Sequence, residues 1–403
     1  MARTEDIDKQ AEALDAAREL ALDRDFDGAE REIEPWLRQL EVDPDDRIRQ
    51  ADDPKAMKAA IGKARAIHDP ASVVGLKPVS EFAGELPPPV LWMDARRGGG
   101  TILRVGDVAL LSGAGGVGKS FVTLGLAVAA ARGGDEKRGD GCGLHVRKGP
   151  AVVLSYEDDP RTVAYRCGLI VSSMPEPASA PEDLLLVPDP HPLMVADHEN
   201  PGRVAKADQW TTLWNAIRSK NPSLVIVDPA SAALAGVNQN DGATVRWFLR
   251  ALAQEAKNGN FGVLVVAHST KGARYGQADV GPHAVAGSAQ WTDASRGVLF
   301  MRRQGEGRAV IECVKSNHGP VGWAVELEAD MRGSEPGRFA GWKKRGRHSH
   351  KEWAERKEEQ EREKKAKEKA RAKAKKAKAK EKRKSRAKGN GDGGPPPPNV
   401  DDI

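Results

Sequence analysis

Cysteine is nearly absent. The 403-residue chain has three, Cys142, Cys167 and Cys313, at spacings that match no disulfide or metal-binding pattern. That excludes a disulfide scaffold and a cysteine-cluster zinc site, and it fits a reducing cytoplasm. Long apolar runs are missing too. The longest, about Val122–Ala131, is too short to span a bilayer and is broken by Gly125, so no membrane partner is expected. The opening MARTEDIDKQ has no apolar run behind its charges, which argues against a secretory leader. No internal repeat is visible. With 39% hydrophobic and 30% charged residues, part of the chain can bury a core and part is too polar to do so.

The charge is unevenly spread. Residues 343–388 hold 23 Lys and Arg against 8 Glu, whereas the chain before them is net −7. Basicity therefore belongs to the tail alone. Three regimes follow. Residues 1–85 are charged and Ala-rich, with Leu20, Phe26, Ile33, Trp36 and Leu40 at helical spacing, and they read as a helical extension. Pro87, Pro88 and Pro89 read as a stiff connector. Residues 86–342 alternate short apolar runs with helical patterns, the signature of an α/β domain with a mainly parallel sheet flanked by helices. Strands are expected at Val108–Ser112, Ala151–Ser155, Leu184–Val187, Leu224–Asp228, Gly262–Ala267, Gly297–Met301, Ala309–Val314 and Val321–Leu327. Helices are expected at Lys119–Arg132, Pro160–Ile170, Ala207–Arg218 and Gly242–Lys257. Residues 343–403 lack core-filling aliphatics and are expected to be a solitary helix or disordered, ending in a flexible Gly/Pro segment.

The strongest motif is Gly113-Ala114-Gly115-Gly116-Val117-Gly118-Lys119-Ser120, a full match to G-x-x-x-x-G-K-[ST] between a strand and a helix. Its glycines let backbone N–H groups converge on phosphate oxygens, and the helix adds its positive end. Lys119 supplies a charge for the β- and γ-phosphates of ATP, and Ser120 a hydroxyl for Mg²⁺. Asp228 ends the apolar run LVIVD, which places its carboxylate at a strand's carboxyl end as a second Mg²⁺ partner. Glu157 is the first of three acids after AVVLSY and stands nearest the strand end, as a general base would. Asp158 and Asp159 suit capping of the helix opened by Pro160. His268 ends a third apolar strand and would face the γ-phosphate.

The segments GAGGVGKS (113–120), LSYEDDPRT (154–162), LVIVDP (224–229), VVAHSTKG (265–272) and GSAQWTDASR (287–296) resemble the RecA-like P-loop NTPases. Among these they are most similar to the plasmid hexameric replicative helicases of the RepA type and the AAA-domain proteins grouped with them. The resemblance covers about 86–330. It implies that Lys119 and Ser120 bind phosphate and Mg²⁺, that Glu157 is the catalytic carboxylate, and that Asp228 is the metal-linked acid. It also implies that His268 senses the γ-phosphate and that Arg296 is an arginine finger reaching a neighbour's ATP, with Lys315 as a second cation for that role. A ring, commonly a hexamer, around single-stranded DNA is implied, with replication proteins as further partners. No counterpart is recognised for residues 1–85 or the basic tail.

Nucleic-acid contacts are expected from Ser269–Gly287, which carries Lys271, Arg274 and Tyr275 where RecA-like proteins place a channel loop. Gly236–Gly242 is a weaker candidate. The tail suits any polyanion, without base stacking, since Trp353 is its one aromatic. The expected function is a cytoplasmic ATP-driven DNA motor, a replicative helicase of plasmid or phage type. The rivals are an ATP-dependent recombination or repair factor that does not unwind, and a nucleotide-bound scaffold that recruits DNA.

Overall fold

The computed structural model describes residues 84–94, 98–133, 142–174, 180–196, 204–234, 236–269, 289–331 and 339–363, with isolated positions before and after. The chain divides into two compact units, Met1–Leu86 and Pro87–Ile403. The helices expected in residues 1–85 fall almost wholly outside the described residues. The strands and helices below belong to the second unit.

Three short strands open it or pair with its start: β1 (Pro89–Trp92), β2 (Thr101–Arg104) and, later, β4 (His145–Val146), in the order β2-β1-β4. Pro89 thus begins an edge ladder instead of extending a connector, in a position where proline is tolerated. The main sheet comprises β3 (Val108–Gly113), β5 (Ala151–Ser155), β6 (Leu184–Val187), β9 (Leu224–Asp228), β10 (Gly262–His268), β11 (Gly297–Gly305), β12 (Arg308–Ser316), β13 (Ala324–Asp330) and β14 (Gly341–His348). Their order is β14-β13-β12-β11-β3-β10-β9-β5-β6. The ladders from β11 to β6 are parallel and those from β11 to β14 antiparallel. A separate hairpin joins β7 (Met194–Ala196) and β8 (Val204–Lys206).

The helices are α1 (Lys119–Arg132), α2 (Pro160–Ser173), α3 (Trp210–Ser219), α4 (Ala230–Ala233), α5 (Gly242–Gly259), α6 (Gln290–Ala294) and a terminal helix α7 over 350–363. No helix among the described residues is long and apolar enough to cross a membrane.

The strand pattern dictates two layers. In β3 every residue is buried, as befits a central parallel strand covered on both faces. Ala109 and Leu111 join the core beneath α1 and α2, while Val108 and Leu110 join the core beneath α3 and α5. α1 is apolar nearly all round, and its burial between the sheet, α2 and β14 explains why. The fold is α/β with a mainly parallel sheet, the architecture of a RecA-like core.

The sheet extends further than expected. Residues 343–348, read from sequence as the start of the basic tail, lie in β14. Opposed charges explain the pairing: Glu328 stands opposite Lys343 across the β13–β14 ladder. Lysine and arginine also suit an outer edge strand. The tail's Trp353 is fully buried against Val310 and Ala324. Around it, buried acids of β12 and β13 take up tail cations: Glu312 pairs with Lys357, and Glu326 with Arg356 at 3.2 Å and His348 at 3.1 Å. The first turns of the basic segment are therefore part of the domain, and the rest of it lies outside the described residues apart from isolated positions.

Candidate functional site

The carboxyl ends of β3, β5, β9 and β10 converge, and register fixes their heights. Gly113 stands opposite His268 across the β3–β10 ladder, and Ser155 opposite Asp228 across β5–β9. Ligands of open α/β sheets bind at such an edge. A cavity of about 530 Å³ lies there, and Gly115, Lys119, Ser120, Glu157, Asp228 and His268 all line it.

The loop's glycines are required sterically. Gly116 and Gly118 have φ of 69° and 98°, a region that favours glycine. A Cβ on Gly118 would approach the Trp342 indole nitrogen to 2.5 Å, and one on Gly113 would meet the Met301 carbonyl at 2.4 Å. Gly118 leads directly into α1, so the helix N-terminus points its N–H groups at the cavity. Lys119 is buried, and its Nζ donates to the carbonyls of Gly113 at 2.8 Å and Ala114 at 3.0 Å.

The three acids after β5 separate by position. Asp159 caps α2, accepting from the Arg161 N–H at 2.8 Å, with Pro160 at the first helical position. Asp158 takes both guanidinium nitrogens of Arg166, at 2.5 and 3.0 Å. Glu157 is exposed and lines the cavity.

Asp228 is buried at the cavity floor. Burial pushes its carboxyl up to about 6; a hydrogen bond from Ser120 and the Lys119 charge pull it down, while Glu157 and Asp158 raise it. Among the described residues no cluster of three or more His, Cys, Asp or Glu forms a closed metal cage. A Ser hydroxyl beside one carboxylate is nevertheless an oxygen donor set that fits Mg²⁺, which keeps waters and takes its other ligands from phosphate.

A testable consequence follows from that buried acid. In the unfolded chain its pKa is the ordinary 3.8. Between about pH 4 and 6 the folded chain holds a proton the unfolded chain has lost, so stability falls as pH rises through that window. Above it the penalty is about 3 kcal/mol. Asp228→Asn is expected to raise the melting temperature by about 5 °C at pH 7.5 without divalent metal, with the gain shrinking as pH falls from 6 to 4.5. A gain that does not change with pH would show that ionisation is not its source.

Several cavity residues carried no local signal in the sequence. From the β11–β12 hairpin come Arg303 and Arg308, with Arg303 Nη2 donating to the Gly116 carbonyl at 2.8 Å. Trp342 of β14 donates from Nε1 to the Gly118 carbonyl at 3.2 Å. Phe121, Arg166 and Phe339 complete that side. Thr123 of α1 bridges the Ser120 carbonyl at 3.0 Å and the Asp228 carboxylate at 3.5 Å.

Arg296 is not in this cavity. It precedes β11 at the amino end of that strand, where Gly297 pairs with Ala109, whereas the loop leaves the carboxyl end of β3. Its side chain is 58% exposed, with Nε 3.9 Å from Asp107, which also holds His318 at 2.6 Å. Lys315 is committed elsewhere: its Nζ donates to the carbonyls of Thr292, Asp293 and Ser295 at 2.8 to 2.9 Å. Burial lowers its pKa, Asp293 raises it and Arg296 lowers it. This capping of α6 leaves Arg296 as the outward-facing cation of the pair. Gly236–Gly242 ends in another cap, with Asp241 accepting from the Thr244 N–H at 2.7 Å. Lys271, Arg274 and Tyr275 lie outside the described residues.

A parallel sheet, a glycine loop entering a helix, and a buried acid at the next strand ends together define a RecA-like P-loop ATPase domain. Residues 70–274 match the family described as AAA domain, AAA_25, and the chain belongs to that family. No curated protein matches the chain. One solved structure, an ATPase domain by its title, is similar at 14% identity and a TM-score of 0.39, covering 55% of this chain and 81% of its own.

Proposed function

We propose that the chain is an ATP-hydrolysing motor that acts on single-stranded DNA as a ring of identical subunits, a replicative helicase of plasmid or phage type. The observation that carries the ATPase chemistry is the meeting of Lys119, Ser120, Glu157, Asp228 and His268 in one cavity. The loop N–H groups and Lys119 hold the phosphates. Ser120 and Asp228 hold Mg²⁺, which when bound neutralises charge on the β- and γ-oxygens. Glu157 orients a water at the γ-phosphorus and accepts its proton. His268 contacts the γ-phosphate from the strand between β3 and β9, so the end of β10 and the segment after it respond to hydrolysis. Lys271, Arg274 and Tyr275 in that segment are the proposed contacts to DNA. Arg296, at the far edge of the sheet, completes the site of a neighbouring subunit, which is what favours a ring over a monomer.

The test is ATP turnover with and without single-stranded DNA, for the native chain and for Glu157→Gln. DNA is expected to stimulate the native enzyme. The variant is expected to lose about 10²- to 10⁴-fold in turnover while binding nucleotide as before. Unwinding of a forked duplex then distinguishes a helicase from a non-unwinding factor. Turnover indifferent to DNA would end the motor reading, and filaments in place of rings in micrographs would favour a recombination or repair role.

A further inference from the structure

The cavity has a second end, away from the acids. There the lining turns aromatic: Phe121, Phe339 and Trp342, beside the small residues Gly305, Gly307 and Ala329. The rings are fixed to one another and to the phosphate loop. Phe339 packs edge-on against Phe121 at 4.7 Å and against Trp342 at 5.1 Å. The Trp342 N–H to the Gly118 carbonyl ties the group to the residue that opens α1. All three rings are only partly buried. That is costly for aromatic surface, and the chain avoids the cost elsewhere: Trp214, Trp291, Trp323, Trp353, Phe248, Phe261 and Phe300 are fully buried. Apolar surface left wet at the mouth of a polar site is the mark of a surface that a ligand covers.

We propose that Phe339 and Trp342, supported by Phe121, form the wall that stacks the nucleobase of the bound nucleotide. The proposal rests on reading the cavity as a nucleotide site. The chemistry fits a flat heteroaromatic ring. Among the described residues, the only carboxylates lining the cavity are Glu157 and Asp228, on the phosphate side. Small side chains at Gly305, Gly307 and Ala329 leave room for a planar group against the rings. Arg166, which stands 5.6 Å over the Phe121 ring, is held by Asp158 and steadies the wall from behind. Phe339 and Trp342 both lie beyond residue 274, where the family match ends. The wall is therefore a feature that this chain builds from its terminal strand.

Calorimetric titration with two ligands tests this, each at fixed Mg²⁺: ADP, which carries the base, and pyrophosphate, which does not. For Phe339→Ala the Kd for ADP is expected to rise about 10-fold or more, the range for losing a base–aromatic stack. The Kd for pyrophosphate is expected to stay within about 2-fold of native. Phe339→Leu keeps the apolar volume without the ring and serves if the alanine variant melts early; the same split is expected. Trp342→Phe keeps a stacking face while removing the donor to Gly118, and ADP is expected to bind within about 3-fold of native. Equal weakening of both ligands would show that the rings only prop the loop, and unchanged ADP binding in both Phe339 variants would equally overturn the proposal. A native protein that binds neither ligand would overturn the nucleotide-site reading itself, a result distinct from either.

Discussion

Lys119→Ala is expected to lower ATP turnover by at least about 10³-fold, the scale on which a preorganised transition-state contact is lost. Two contributions disappear together. Lys119 is the buried cation of the loop, and a charge-assisted contact to phosphate is worth about 10- to 100-fold in affinity. Its Nζ also ties together the carbonyls of Gly113 and Ala114, so the alanine variant leaves the loop less firmly set. A further consequence falls on Asp228, whose carboxyl is held down in part by Lys119. Without that charge the acid stays protonated to higher pH and is a poorer metal partner. Lys119→Arg is expected to be nearly as inactive, because a planar forked guanidinium cannot occupy a position shaped for a compact ammonium. Steady-state turnover alongside a melting curve checks this. A variant that folds and retains more than a tenth of native turnover would remove Lys119 from the site.

Arg296→Ala is expected to lower turnover by about 10³-fold or more, in the range of arginine fingers supplied in trans, while leaving the nucleotide affinity of the isolated chain unchanged. The separation follows from strand geometry. Arg296 and the phosphate loop lie at opposite ends of adjacent parallel strands, roughly 17 Å apart along five residues. The residue therefore has no access to its own cavity, and any effect on turnover must pass through a second subunit. Mixing makes the test decisive. Arg296→Ala chains keep an intact cavity, and Lys119→Ala chains keep an intact Arg296. Neither turns over alone, but interfaces between the two are expected to restore a measurable fraction of activity. Absence of rescue in a mixed assembly would exclude the finger in trans.

The elements most legible in the sequence were those whose signal is local. The limits of α1, β5, β6 and β9 follow directly from apolar runs bounded by Gly, Pro, Asp or Ser. The capping of α2 by Asp159 and Pro160 follows from two residues and one backbone rule. The strands β1, β2 and β4 left no such trace, because two to four residues carry too little periodicity and their partners are distant in the chain. β14 was hidden by composition: its Lys and Arg look like a soluble tail until β13 supplies opposing acids.

For the candidate site the division is similar. The sequence alone determined the phosphate loop, the acid ending β9 and the order of strands that carry them, because each depends on residue type at fixed short spacing. Tertiary structure decided the rest. It sorted Glu157 from Asp158 and Asp159, committed Lys315 to α6, and turned Arg296 away from its own cavity. It also brought Arg303, Phe339 and Trp342 to a loop about 190 to 225 residues earlier. Those outcomes depend on which strands lie side by side and which ends face the ligand. Strand order is set by burial of both sheet faces across the whole domain, a cooperative property that no window of the sequence contains.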